Sequence, residues 1–138
     1  MSIKKLSIVK QCNVALTWGE FFDRLTISIR KRSVNKNYAW KVDSLLKVLI
    51  DSAFPQDLYL LLGLVCELQM VNTDIWNLES DIRKGKEGKL GESEVGRRAI
   101  AIRKTNARRI ELVNQINAMY GETEKETKYD HVSEGVSK

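Results

Sequence analysis

Leu64, Leu68, Val71, Ile75, Leu78 and Ile82 step along the chain by four, three, four, three and four residues. Only an α-helix places such a series on one face, and a sustained alternation of this kind is a seam for lengthwise packing against other helices. Phe54-Pro55 closes the stretch on one side, because Pro cannot continue a helix and restricts the residue before it. Gly85 to Ser93, reading GKEGKLGES, closes it on the other as a glycine-rich charged loop. A helix from Asp57 to Lys84 would be about 42 Å long at ~1.5 Å per residue, with Gly63 as a weak point near its start. A helix of that length needs long partners, so the seam predicts an all-α, antiparallel helical bundle.

The partners are present. Thr17 and Glu20 have the spacing of a capping box, in which each side chain satisfies a free backbone N–H of the other. Phe22, Leu25, Thr26 and Ile29 follow at helical spacing, and Asn35 and Asn37 favour a turn after Ser33. A second helix is expected from about Tyr38 to Ile50, with Val42, Leu45, Leu46 and Leu49 as its apolar face. After the glycine loop, Ser93 is placed to cap a fourth helix and Glu94 to complement its dipole. Ala99, Ile102, Asn106, Ile110, Val113, Asn117 and Tyr120 share a face of it, and Gly121 is placed to end it. Ile3 to Leu16 carries Leu6, Ile8, Val9, Val14 and Leu16, which suits one or two short strands. Residues 122–138 have almost no apolar content, so a single helical domain over 1–121 and a disordered tail over 122–138 are expected.

Composition excludes several chemistries. A chain of 138 residues suits one domain. Cys12 and Cys66 are too few for a disulfide scaffold or a cysteine zinc site. His131 is the single histidine, which leaves no multi-histidine metal site and no ready catalytic triad. It falls in the tail and reads as functionally silent. No run of about 18 apolar residues is found, so no membrane span is expected. The first ten residues lack the long apolar stretch of a signal peptide, which points to the reducing cytoplasm. The glycine loop is not a phosphate-binding P-loop, since no strand precedes it and the GxxxxGK[ST] spacing is missing.

Net charge is +5, and the tail from Glu122 carries five acids against three bases, which leaves +7 on the body. A cationic body favours anionic partners. Arg30-Lys31-Arg32 and Arg97-Arg98 are its densest clusters. Nucleic acid ranks last among such partners at this stage, because the aromatic residues are few and not interleaved with those clusters.

Beside the apolar seam runs a polar stripe: Asn72, Trp76, Glu79 and Arg83, at steps of four, three and four. The first helix offers Glu20, Asp23, Arg24 and Ile27 at matching spacing. The fourth places Asn106 in its apolar face, with Arg109 three positions on. Polar residues on packing faces must be hydrogen-bonded or used. One reading is a network that fixes helix register. The functional reading is a pocket between helices, where bundles commonly hold ligands. There Arg24, Arg83 and Arg109 would bind an anionic group, Trp76 would stack on a base or ring, and Asn72 and Asn106 would read polar edges, with Asp23 and Glu79 also counted among the ligand-binding residues. A third reading gathers Glu20, Asp23 and Glu79 around Mg²⁺, as in all-α nucleotide pyrophosphohydrolases, which use a denser acid set.

These residues resemble an uncharacterised bacterial and phage family known only as a domain of unknown function. Its pattern is roughly GE-x-x-D-[KR]-L-T-I, then N-x-x-[LI]-W-x-[IL]-E-x-x-I-R, then T-N-D-x-R. The chain carries Gly19-Glu20, Asp23-Arg24-Leu25-Thr26-Ile27, then Asn72, Ile75-Trp76, Leu78-Glu79 and Ile82-Arg83. Thr105-Asn106-Ala107-Arg108-Arg109 follows, with Ala107 standing where the pattern has Asp. The resemblance spans about residues 14–121 and implies no particular activity. It singles out the residues that helical geometry places together. The leading expectation is non-catalytic binding of a small anionic ligand: a nucleotide, a nucleotide-derived signal or a phosphorylated sugar. No cofactor is implied by that reading. A Mg²⁺-dependent nucleotide pyrophosphohydrolase and a structural helical homo-oligomer are the alternatives.

Overall fold

The computed structural model describes residues 6–7 and 15–122. Five α-helices are described: α1 (Trp18–Val34), α2 (Ala39–Ile50), α3 (Leu58–Arg83), α4 (Glu87–Leu90) and α5 (Glu92–Met119). A three-residue 3-10 turn, Lys36–Tyr38, joins α1 to α2. Ahead of α1, β1 (Leu6–Ser7) and β2 (Ala15–Leu16) pair antiparallel, with Leu6 opposite Leu16 and Ser7 opposite Ala15. The all-α bundle and the short N-terminal pairing therefore stand as expected. Of the tail expected to be disordered, only Glu122 is described; the rest of it, His131 included, lies outside the described residues.

Local chemistry sets the helix ends. Thr17 and Glu20 form the reciprocal capping box: the Glu20 N–H donates to Thr17 Oγ1 at 3.2 Å and the Thr17 N–H to Glu20 Oε2 at 3.1 Å. Asp57 caps α3 by accepting the Leu60 N–H at 2.9 Å. α3 and α5 each end in a glycine at positive φ, Gly85 (69°) and Gly121 (70°). Around each, two N–H groups fold back onto the last turn: Gly85 to Ile82 and Lys86 to Asp81, then Gly121 to Ala118 and Glu122 to Asn117. This Schellman arrangement satisfies carbonyls that a helix end leaves orphaned. The start of α5 departs from expectation. Gly91, at φ 79°, occupies the cap position, Ser93 lies inside the helix, and α4 forms a single turn within the glycine loop.

α1 and α3 run the same way, since Asp23 meets Asn72 and Arg30 meets Asn77. α5 opposes both, pairing Arg109 with Asp23 and Arg108 with Glu67. The core gathers Trp18, Phe21, Phe22 and Leu25 of α1, Val42 and Leu45 of α2, Leu61, Leu64, Leu68 and Val71 of α3, and Leu112, Val113 and Ile116 of α5. The seam of α3 is thus consumed within the chain over its first half; Ile75, Leu78 and Ile82 are only half-buried. By length and composition α3 could also cross a membrane, with a mean hydropathy of 1.3 over 18 residues. Its apolar residues divide between this core and an exposed set that includes Tyr59, Leu62 and Met70.

Two apolar faces differ in part from the expected ones, although Phe22, Leu25 and Thr26 of α1, Val113 and Asn117 of α5, and Tyr120 after it are buried as expected. On α1, Phe21 is fully buried while Ile29 is exposed. On α5, Arg109, Leu112 and Ile116 turn inward, and Asn106 and Ile110 are half-buried. The reason for the second shift is an ion pair across the bundle.

Candidate functional site

Four of the eight singled-out residues converge on one buried network. Asn72 Nδ2 donates to Asp23 Oδ1 and to Thr26 Oγ1, both at 2.9 Å. The Thr26 hydroxyl donates to the Asp23 carbonyl at 2.8 Å. Arg109 donates from Nη1 to Asp23 Oδ2 at 2.5 Å and from Nε to Asn106 Oδ1 at 2.9 Å. The Arg109 and Asp23 side chains are only 8 % and 11 % exposed. Burying either charge alone would be costly, so each requires the other. The Asp23 carboxylate is filled by an amide on one oxygen and a guanidinium on the other. The network ties α1, α3 and α5 together at one level, and its members are committed to one another.

The other four residues stand apart from it. Arg24, next to Asp23 but about 100° further round α1, points to solvent. Trp76, Glu79 and Arg83 lie further along α3. Trp76 is half-buried, with the Arg30 guanidinium 5.6 Å and the Arg83 guanidinium 5.7 Å from its ring centre. Both distances suit a cation–π contact. Arg30 is held by Ser33 Oγ at 2.9 Å and Asn77 Oδ1 at 3.3 Å, and its Nε is buried without a partner. Glu79 forms an ion pair with Arg83, whose side chain is 60 % exposed.

Beside Trp76 opens a cavity of about 260 Å³, lined by Val34, Trp76, Ser80, Arg83 and Lys84. It sits where the C-terminal ends of α1 and α3 meet. Sequence periodicity identified Trp76 and Arg83. It passed over Ser80 and Lys84, which share the α3 face of Trp76 at four and eight residues on. It missed Arg30 against the Trp76 ring and Val34 in the cavity wall, which reach Trp76 only because α1 lies parallel to α3. The one available signal was the density of Lys and Arg after Ile29.

The carboxylates of the Mg²⁺ reading do not gather. Glu20 belongs to the cap of α1, Asp23 to the buried network, and Glu79 to Arg83. Among the described residues no three Asp, Glu, His or Cys side chains form a metal-sized cluster.

A different set of contacts closes the start of α1. The Trp18 N–H donates to Glu122 Oε1 at 2.9 Å and the Gly19 N–H to Asn117 Oδ1 at 2.6 Å. With the capping box, these occupy the N–H groups of residues 17 to 20. That helix start therefore has no free donors for an anion. Trp18 stacks on Tyr120 with ring centres 4.7 Å apart, and burial, then the Glu122 charge, push the Tyr120 hydroxyl up to about 12. Comparisons with protein-family profiles, curated proteins and solved structures each find no match.

Proposed function

We propose that the protein binds a small anionic ligand carrying a planar ring, a nucleotide being the chemistry that fits best, in the cavity beside Trp76. The observation that carries this reading is an indole flanked by two guanidinium groups at the wall of that cavity. An aromatic face receives a base, and arginine forks receive phosphate oxygens. The volume of about 260 Å³ lies just under the range of about 300–1,000 Å³ common for ligand pockets. It suits one base with its phosphate at the mouth, where Arg83 and Lys84 stand. Glu79 holds Arg83 until a stronger anion competes for it. The reading involves no bond making or breaking. Asp23, Asn72, Asn106 and Arg109 take a supporting part, holding α3 in register with α1 so that Trp76 and Arg30 meet.

Tryptophan fluorescence titrated with nucleoside monophosphates tests the reading, with Trp76→Phe separating the pocket signal from Trp18 and Trp40. Loss of a charge-assisted hydrogen bond costs about 1.5–3 kcal/mol, so Arg83→Ala should weaken binding about tenfold or more. Unchanged affinity in both Arg83→Ala and Lys84→Ala would remove the pocket from consideration.

A further inference from the structure

Positive charge in this molecule is concentrated at one end. Residues 30–41 hold five Lys or Arg (Arg30, Lys31, Arg32, Lys36 and Lys41) and no Asp or Glu, so this stretch alone matches the net charge of the whole chain, +5. It forms the last turn of α1, the 3-10 turn and the first turn of α2. The fold sets it beside the end of α3, where Val34 shares a cavity wall with Arg83 and Lys84. Among the described residues the partners of these five cations are neutral: Ser33, Asn77 and the rings of Trp76 and Tyr38.

Helix dipoles do not absorb this charge. Two helix C-termini present roughly half a negative charge each, against five cations in 30–41 and Lys84 beside them, Arg83 being paired with Glu79. Aromatic faces lie among the cations. The Tyr38 ring is 5.5 Å from Lys31 Nζ. Trp40 is 68 % exposed and stands between Lys36 and Lys41 in the chain. Trp76 lines the cavity. Cations that follow a phosphate backbone, with ring faces on which unpaired bases stack, are what a single strand requires. A duplex keeps its base faces stacked on one another and has none to offer.

We infer that this end of the bundle binds single-stranded nucleic acid. The Trp76 cavity takes one base, Trp40 stacks on another, and Lys31, Arg32, Lys36 and Lys41 meet the phosphates between and beyond them. The inference rests on the pocket reading for the first base and goes beyond it in the run of phosphates and the second stacking face. RNA and DNA share this chemistry.

Fluorescence anisotropy with labelled oligo-dT and oligo-U of about twelve nucleotides tests it, beside titrations with dTMP and UMP. The oligonucleotides should bind at least tenfold more tightly than the mononucleotides. Their affinity should fall with salt at a slope of about −0.7 per phosphate engaged. Trp40→Ala should weaken oligonucleotide binding about 5- to 100-fold, the range for loss of one stacked base, and leave mononucleotide binding unchanged. Trp40 is exposed, so this substitution does not threaten the fold, and Lys36→Glu is a second such variant. Mononucleotides that bind as well as oligonucleotides, or oligonucleotide binding indifferent to both variants, would overturn the inference and leave the pocket standing. If neither class of compound binds, both readings fall.

Discussion

Gly19 shows how tightly single residues are constrained where α1 meets α5. A Cβ built there would collide with the Val113 carbonyl oxygen and stand 2.6 Å from Asn117 Oδ1. Gly19→Ala must push the helices apart or break the Asn117 contact, and should cost about 1–3 kcal/mol in chemical denaturation. The same substitution at Gly63, where a Cβ meets nothing within 4 Å, should stabilise α3 by up to about 1 kcal/mol through helix propensity. The Asp23–Arg109 pair obeys a different logic. Removing one partner strands a buried charge, so Asp23→Ala or Arg109→Ala should each cost about 3–5 kcal/mol. The Asp23→Leu/Arg109→Leu double variant should recover much of that loss, and denaturation of all three variants measures the coupling. Equal and additive losses would show that the pair is not a unit. At Tyr120 the buried hydroxyl has no partner, so Tyr120→Phe should be neutral or stabilising. The wild-type pKa is raised from 10.0 to about 12, and the folded state then binds more protons than the unfolded state across that interval. Stability should therefore fall as pH climbs from 10 towards 12, and the fall should be shallower in Tyr120→Phe.

At the scale of elements, the first turn of α5 has its own pH signature. Hydrogen bonds from Arg97 and Arg98 hold the Glu94 carboxyl down at about 2, against 4.5 ordinarily. The contribution of this group to stability is complete above pH 4.5 and is lost as pH falls towards 2. The stability difference between wild type and Glu94→Gln should thus be constant at neutral pH and close on acidification through that window. Because the Glu94 side chain is partly exposed to solvent, the difference should shrink in high salt. The extents of the long helices were legible in the sequence because their ends are local chemistry: Thr17 with Glu20, Asp57 after Pro55, and Gly121 each act within a few residues. The face that α5 turns inward was legible only in part: Val113 and Asn117 were expected on it and are buried, whereas Arg109 and Leu112 were not placed there. Spacing set Arg109 beside that face as an anion-binding cation, and only Asp23, 86 positions away, commits it to a buried pair. Asp23 and Arg24 are equivalent in a pattern of polar residues, yet one is buried and the other exposed, since neighbours on a helix point about 100° apart. Trp76 and Arg83 were legible from spacing within one helix. The second wall of their cavity was not, because it comes from the parallel approach of α1.

For the molecule as a whole, the buried parts of α3 and α5 lie away from the cationic end. On α3 the buried residues run from Leu61 to Asn72, and on α5 from Arg109 to Asn117. The halves nearest the glycine loop are half-buried or exposed and are held to one another by contacts such as Arg98 with Asp81 and Glu94. Partly exposed ion pairs of that kind contribute about 0–1 kcal/mol each, far less than buried leucines. The cationic end is therefore the less stable end, where binding surfaces are commonly drawn from. Trp40 and Tyr38 were visible beside the basic run in the sequence. Taking Arg30-Lys31-Arg32 as the cluster left both rings outside it and ranked nucleic acid last; the packing of α2 through Val42 and Leu45 leaves Trp40 exposed beside Lys36 and Lys41. The consequence is measurable by hydrogen exchange. In the free protein, amides of residues 61–72 and 109–117 should exchange most slowly, and those of 73–83 and 92–106 distinctly faster. A ligand at the Trp76 cavity stabilises only states in which that end is formed. At a concentration one hundred times its Kd the gain is about 2.7 kcal/mol, equivalent to roughly a hundredfold slower exchange. That slowing should appear in residues 73–83 and at the end of α1 and be much smaller in residues 109–117, whose exchange already reports global unfolding. An equal slowing in every helix would mean that the two ends unfold as one unit, and a slowing confined to residues 109–117 would place the ligand at the wrong end of the bundle.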